Sequence, residues 1–197
     1  VIAAAAIIGY LFGSIPFSLI AGRVATGKDV RDFGSGNMGA TNVMRVAGKG
    51  AAAVALLGDI LKGLVAIVLV RLLGGGPAES AVAAVASVLG HGFPLFAGFR
   101  GGKGVATGFG AFFLLSPAAV LGSLALFAVV LASTRMVSLG SMLAFASLPA
   151  FAALLKAPAP VVAAGLFLCC LVIVRHRANI RRIIGGTEPR IGRSGNR

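Results

Sequence analysis

Apolar stretches as long as a bilayer crossing fill most of this chain, and no other feature limits its fold so tightly. A hydrocarbon core of about 30 Å takes roughly 20 helical residues to cross. Val1 to Gly22, Gly50 to Leu73, Ser80 to Gly98, Val137 to Leu155 and Ala159 to Val174 each match one crossing, the last being short. Inside hydrocarbon every backbone polar group needs a partner from the chain itself, so single stretches of this kind cross as helices. Charged residues make up 12% and mean hydropathy is +1.00, against about 25% charged residues in an ordinary soluble domain. The predicted class is an all-α polytopic membrane protein.

The stretch from Gly104 to Ser133 holds 30 residues with Ser116-Pro117 at its middle, and is either one overlong helix or two short ones. Charge decides between them. Two crossings give seven transmembrane helices and put Arg23, Lys28, Arg31, Arg45, Lys49, Arg100, Lys103, Arg135, Arg175, Arg177, Arg181, Arg182, Arg190, Arg193 and Arg197 on one side. Only Arg71 and Lys156 remain on the other. A single crossing would move Arg135 and the Arg-rich end to the opposite face, against the excess of Lys and Arg on cytoplasmic loops. Seven spans are therefore expected, with the N-terminus outside and the C-terminus cytoplasmic. The fourth, near Gly104 to Leu115, is too short to cross as a straight helix, so the protein is expected to be thin there or the helix to begin within its loop. Residues 1–182 are read as one transmembrane domain and 183–197 as a basic cytoplasmic tail, frayed beyond Arg182. The first segment lacks a basic leader and a small-residue cleavage site, and is read as a span rather than a removed signal peptide.

The net charge of +13 follows from this loop distribution, and no nucleic acid is expected as a partner. Cys169 and Cys170 are neighbours in an apolar run. They point different ways on a helix and are read as small apolar residues, not as a disulfide or metal pair.

Two glycine-rich loops carry the chemistry. From Asp29 to Arg45 the chain is too long to be a mere connector. Gly34, Gly36 and Gly39 allow close backbone approach, Ser35, Asn37, Thr41 and Asn42 supply neutral donors, and Arg45 supplies a guanidinium suited to phosphate. The second loop, Gly101-Gly102-Lys103-Gly104, gathers backbone N–H groups around a lysine, a phosphate-binding composition. It is not a P-loop: Ala97 stands where the first glycine belongs and Gly104 where Ser or Thr would hold magnesium.

Further candidates are His91 beside its span, Ser138 and Ser141 on one helix face after Arg135, and Asn179 among the arginines that close the last span. Most of those arginines are explained by anionic lipid headgroups. Asp59 and Lys62, three apart on one helix face, read as an internal support pair. The five acidic residues form no carboxylate cluster, so no metal and no cofactor are expected. Neither His91 nor His176 is followed five places on by an acid, so no histidine–carboxylate dyad is expected either.

Gly34-Ser35-Gly36-Asn37-Met38-Gly39-Ala40-Thr41-Asn42 with Arg45, Gly90-His91-Gly92-Phe93-Pro94 with Gly101-Gly102-Lys103-Gly104-Val105-Ala106-Thr107, and His176-Arg177-Ala178-Asn179-Ile180-Arg181 resemble the three motifs of the bacterial PlsY family, in order and spacing. Met38 departs from a frequent proline. The resemblance implies an inner-membrane acyltransferase of phospholipid biosynthesis. Such enzymes move a fatty acyl group from acyl phosphate to the 1-hydroxyl of glycerol 3-phosphate, giving lysophosphatidic acid and phosphate.

On that basis Lys103, Arg45, His91, Asn179, Ser138 and Ser141 are the expected catalytic set. Ser35, Gly36, Asn37, Gly39, Thr41, Asn42, Gly101, Gly102 and Gly104 are expected to bind substrate phosphate. The expected partners are glycerol 3-phosphate, acyl phosphate and the lipid bilayer, with the protein a monomer and its site facing the cytoplasm. The competing class is a flippase for a phosphorylated lipid precursor. Such transporters are built from repeats with polar residues at the midplane, whereas here the polar residues gather at one face.

Overall fold

The computed structural model describes residues 1–192 and is helical, with no strand among them. It divides into two compact units, residues 1–116 and 117–197.

The first unit opens with α1 (Ile2–Gly13) and α2 (Phe17–Thr26). Together they form one apolar stretch long enough to cross a membrane, running to Thr26, past the predicted end at Gly22. The break between them has a local cause. Pro16 offers no N–H to continue a helical ladder, and Ser14 turns its Oγ back on the Tyr10 carbonyl at 2.7 Å.

α3 (Ala40–Leu72) is a second candidate span, bent at Gly48, whose φ of +84° lies outside helical geometry. The bend separates the polar turns at 40–47 from the apolar stretch expected to start at Gly50. α4 (Pro77–Gly92) begins with Pro at its first turn, and the Glu79 side chain accepts from Gly76 N–H at 3.0 Å. α5 (Val105–Leu115) has 11 residues, about 16 Å of helix at 1.5 Å per residue, short of a straight crossing as expected.

Small residues bring these helices together. A Cβ on Gly13 would strike the Ser87 carbonyl of α4, and one on Gly110 the Ile60 carbonyl of α3. Close backbone approach through small side chains is how helices associate where lipid removes the hydrophobic drive between them.

The second unit contains α6 (Pro117–Thr134), α7 (Val137–Leu154), α8 (Ala159–Arg175) and α9 (Arg177–Ile184). The predicted split at Ser116-Pro117 is observed, since α5 ends at Leu115 and α6 starts at Pro117. Ser147 Oγ joins Ser123 Oγ at 3.1 Å, linking α7 to α6. α8 and α9 meet at a 59° bend around His176.

Among the described residues five helical stretches, α1 and α2 taken together as one, are long and apolar enough to cross a membrane, and a sixth if the bent α8–α9 pair counts as one. Over its described part the tail departs from the frayed expectation. Ile191 N–H donates to the Arg135 carbonyl at 2.9 Å, and Glu188 is 9% exposed. Arg193 and Arg197, counted above for the cytoplasmic face, lie outside the described residues.

Candidate active site

The first glycine-rich loop is held in shape by its own side chains. Asn42, 2% exposed, donates from Nδ2 to the Val30 and Phe33 carbonyls at 2.7 and 3.1 Å, and its Oδ1 accepts from Ser35 N–H at 2.8 Å. A residue read as a phosphate donor thus has its amide engaged by the loop backbone. Gly34 leaves room for it, since a Cβ there would strike Asn42 Oδ1. Ser35 and Gly36 are exposed, and Asn37, Gly39 and Thr41 are half-buried. Gly39 is extended and caps α3, its carbonyl accepting from Asn42 and Val43 N–H at 2.8 and 3.1 Å, so the loop leads directly into the N-terminus of that helix. Arg45 is exposed before the Gly48 bend.

Arg31 joins this loop to the second. It grips Asp29 from both Nε and Nη2, at 3.0 and 2.7 Å, and Nη1 donates to the Ala97 carbonyl at 2.7 Å. The guanidinium of Arg31 holds the Asp29 carboxyl well below the usual carboxylate range, with Arg23 adding a contact at 3.0 Å. Neither Asp29 nor Arg31 stood among the expected site residues.

In the second loop Gly102 and Gly104 are buried while Gly101 and Lys103 are half-buried. Gly104 takes a φ of +83°, a conformation that favours glycine, and caps α5. Each loop therefore feeds the positive end of a helix, the arrangement that suits a bound anion.

His91 closes α4 next to this loop and is 3% exposed. Contrary to the expectation, it does face a carboxylate: Asp59 Oδ1 lies 3.5 Å from His91 Nδ1. A search for an acid near His91 along the chain misses a partner supplied by another helix. Asp59 also contacts Lys62 Nζ at 2.9 Å, so the predicted support pair is present.

The remaining candidates belong to the second unit. Ser138, Ser141 and Asn179 are 7%, 8% and 7% exposed. Ser138 Oγ and Asn179 Nδ2 both donate to Glu188 Oε1, at 2.5 and 2.6 Å, and Arg182 Nε donates to Oε2 at 2.7 Å. Burial raises the Glu188 pKa, but the hydrogen bonds from Ser138, Asn179 and Arg182 outweigh it and leave the carboxyl below its ordinary value. Glu188 is the only acidic residue after Glu79, and that isolation is the one sequence signal that singles it out.

A helical, multi-span architecture with two linked glycine loops, each leading into a helix N-terminus, defines an integral membrane protein whose polar loops gather beside its spans. The comparisons with known proteins narrow the class. A family model described as glycerol-3-phosphate acyltransferase matches residues 3–186. Relatives of that name from Geobacter sulfurreducens and Rubrobacter xylanophilus are each 48% identical, over 93% of this chain and 94% of theirs, and 96% and 95%, respectively. The crystal structure of PlsY, an integral membrane glycerol 3-phosphate acyltransferase, in its glycerol 3-phosphate form superposes with a TM-score of 0.91 and 38% identity, covering 97% of this chain and 96% of that one. Its lysophosphatidic acid form gives 0.87 and 37%, covering 97% and 95%. The chain belongs to the glycerol-3-phosphate acyltransferase family, of the PlsY type, and is a multi-span membrane acyltransferase of phospholipid synthesis.

Proposed function

We propose that this enzyme transfers a fatty acyl group from acyl phosphate to the 1-hydroxyl of glycerol 3-phosphate on the cytoplasmic side of a bacterial inner membrane. The observation that carries this reading is the pair of glycine loops tied together by Arg31, because both proposed substrates present a phosphate. In the proposed site Lys103, Arg45, Ser35, Asn37, Thr41 and the backbone amides of Gly39, Gly101 and Gly104 hold those phosphates, while the Gly36 and Gly102 amides, expected to do the same, donate to the Phe33 and His91 carbonyls and shape the loops. Asn42 keeps the first loop in shape. Ser138, Ser141 and Asn179 are proposed as further residues needed for the reaction.

The chemistry is a displacement at the acyl carbonyl. The glycerol hydroxyl oxygen bonds to the carbonyl carbon, the bond from that carbon to the phosphate oxygen breaks, and inorganic phosphate departs. A substrate phosphate, with a second pKa of about 6, is suited to take the hydroxyl proton. His91 has one ring edge toward Asp59 and the other against Gly102, which favours a supporting role over that of the base. Positioning and charge then supply the catalysis.

Seven crossings, an external N-terminus and a cytoplasmic C-terminus complete the proposal, on the charge distribution of the loops. A monomer without metal is the proposed working form. The purified protein is expected to release phosphate from acyl phosphate only when glycerol 3-phosphate is added, in the presence of chelator. Release without the acceptor, or none until magnesium is restored, would refute this reading.

A further inference from the structure

Asp59 and Lys62 are each 2% exposed on the apolar stretch of α3, where charge is costly and is retained chiefly for function. Mutual neutralisation needs only the contact of Lys62 Nζ with Asp59 Oδ1 at 2.9 Å. The carboxylate is engaged further. Its Oδ2 accepts from Ser18 Oγ of α2 at 3.0 Å, and Oδ1 faces His91 Nδ1 of α4 at 3.5 Å. Lys62 Nζ also donates to the Ile15 carbonyl, 2.9 Å away in the break between α1 and α2.

The other edge of the His91 ring reaches the second loop. A Cβ at Gly102 would collide with His91 Nε2 and with the Met38 carbonyl oxygen of the first loop. Gly102 N–H donates to the His91 carbonyl at 3.1 Å. The imidazole thus stands between the buried carboxylate and the glycine backbone that carries Lys103.

We propose that Asp59 is a positioning residue for acyl transfer: by holding the His91 ring at Nδ1 it sets the 101–104 backbone, and with it Lys103 and the start of α5, against a substrate phosphate. This rests on the reading of that loop as phosphate-binding. A purely structural Asp59 would do no more than balance Lys62.

The two roles part on a variant that removes both charges. Replacing a buried ion pair by apolar side chains often leaves stability unchanged or raised, whereas deleting one partner lowers it. Asp59→Leu/Lys62→Met is expected to melt in detergent near the parent temperature, yet to lose about 10²-fold in kcat/KM for one of the two phosphate substrates, the scale of a displaced positioning group. Recovery of activity together with stability would overturn the proposal. If the pair variant does not fold, Asp59→Asn combined with His91→Gln takes its place. Losses no larger in the combination than in the worse single variant are expected when one residue acts through the other, and losses that multiply would overturn the proposal. Lys103→Ala tests the underlying reading separately: full activity there removes the loop from phosphate binding and leaves the Asp59–His91 coupling to be read by itself.

Discussion

Asn42 and Glu188 show how much single polar side chains organise here. Asn42 satisfies three backbone groups of the first loop. Asn42→Ala leaves them without it, at about 1–3 kcal/mol for a buried unsatisfied group. The melting temperature and acyl transfer should fall together, read by a thermal melt in detergent and by phosphate release. Glu188 gathers Ser138, Asn179 and Arg182, and its folded pKa lies below the ordinary value of 4.5. A depressed carboxyl stabilises the fold fully above the unfolded pKa and ceases to do so as pH falls through the folded one. The stability gap between the parent and Glu188→Gln should therefore be constant from about pH 6 to 8 and close below about pH 4. Melting curves at several pH values check this, and a gap that widens in acid would contradict it.

At the scale of elements, the bend in α3 separates a loop-facing helix start from a bilayer-crossing length. Gly48 has a φ of +84° and ψ of 178°, a region essentially reserved for glycine, at about 1–3 kcal/mol for any other residue. Gly48→Ala is expected to lower the melting temperature, although a Cβ there meets nothing within 4 Å. The penalty is conformational and not a clash, and at this ψ asparagine has none of the advantage it has in the left-handed helical region, so Gly48→Asn should cost about as much as alanine. A parent-like melting temperature for either variant would put the cause of the bend elsewhere. The break between α1 and α2 was not anticipated, because Pro16 sits inside a stretch whose hydropathy stays high on both sides. The Ser116-Pro117 break was legible because length, proline and loop charge all pointed to it.

At the scale of the whole molecule, the seven-span topology makes a simple prediction. A cysteine at position 135, in a chain lacking Cys169 and Cys170, should resist impermeant labelling from outside intact cells, and one at position 156 should react. The reverse pattern would overturn the topology.

Helix positions, the two glycine loops, the membrane class and the family motifs are properties of local sequence, because a segment's partition into lipid and its turn-forming residues depend on near neighbours. The carboxylate beside His91, the bridge from Arg31 to Ala97, and the closure of Ser138 and Asn179 on Glu188 were decided only by tertiary structure. Most of the partners stand far apart along the chain: Arg31 and Ala97 by 66 positions, Ser138 and Glu188 by 50, and Ser18, which binds the carboxylate that faces His91, and Asp59 by 41, while Asn179 and Glu188 are 9 apart. Such pairs meet only where packed helices bring their ends together, and no periodicity in the chain encodes which end lands beside which.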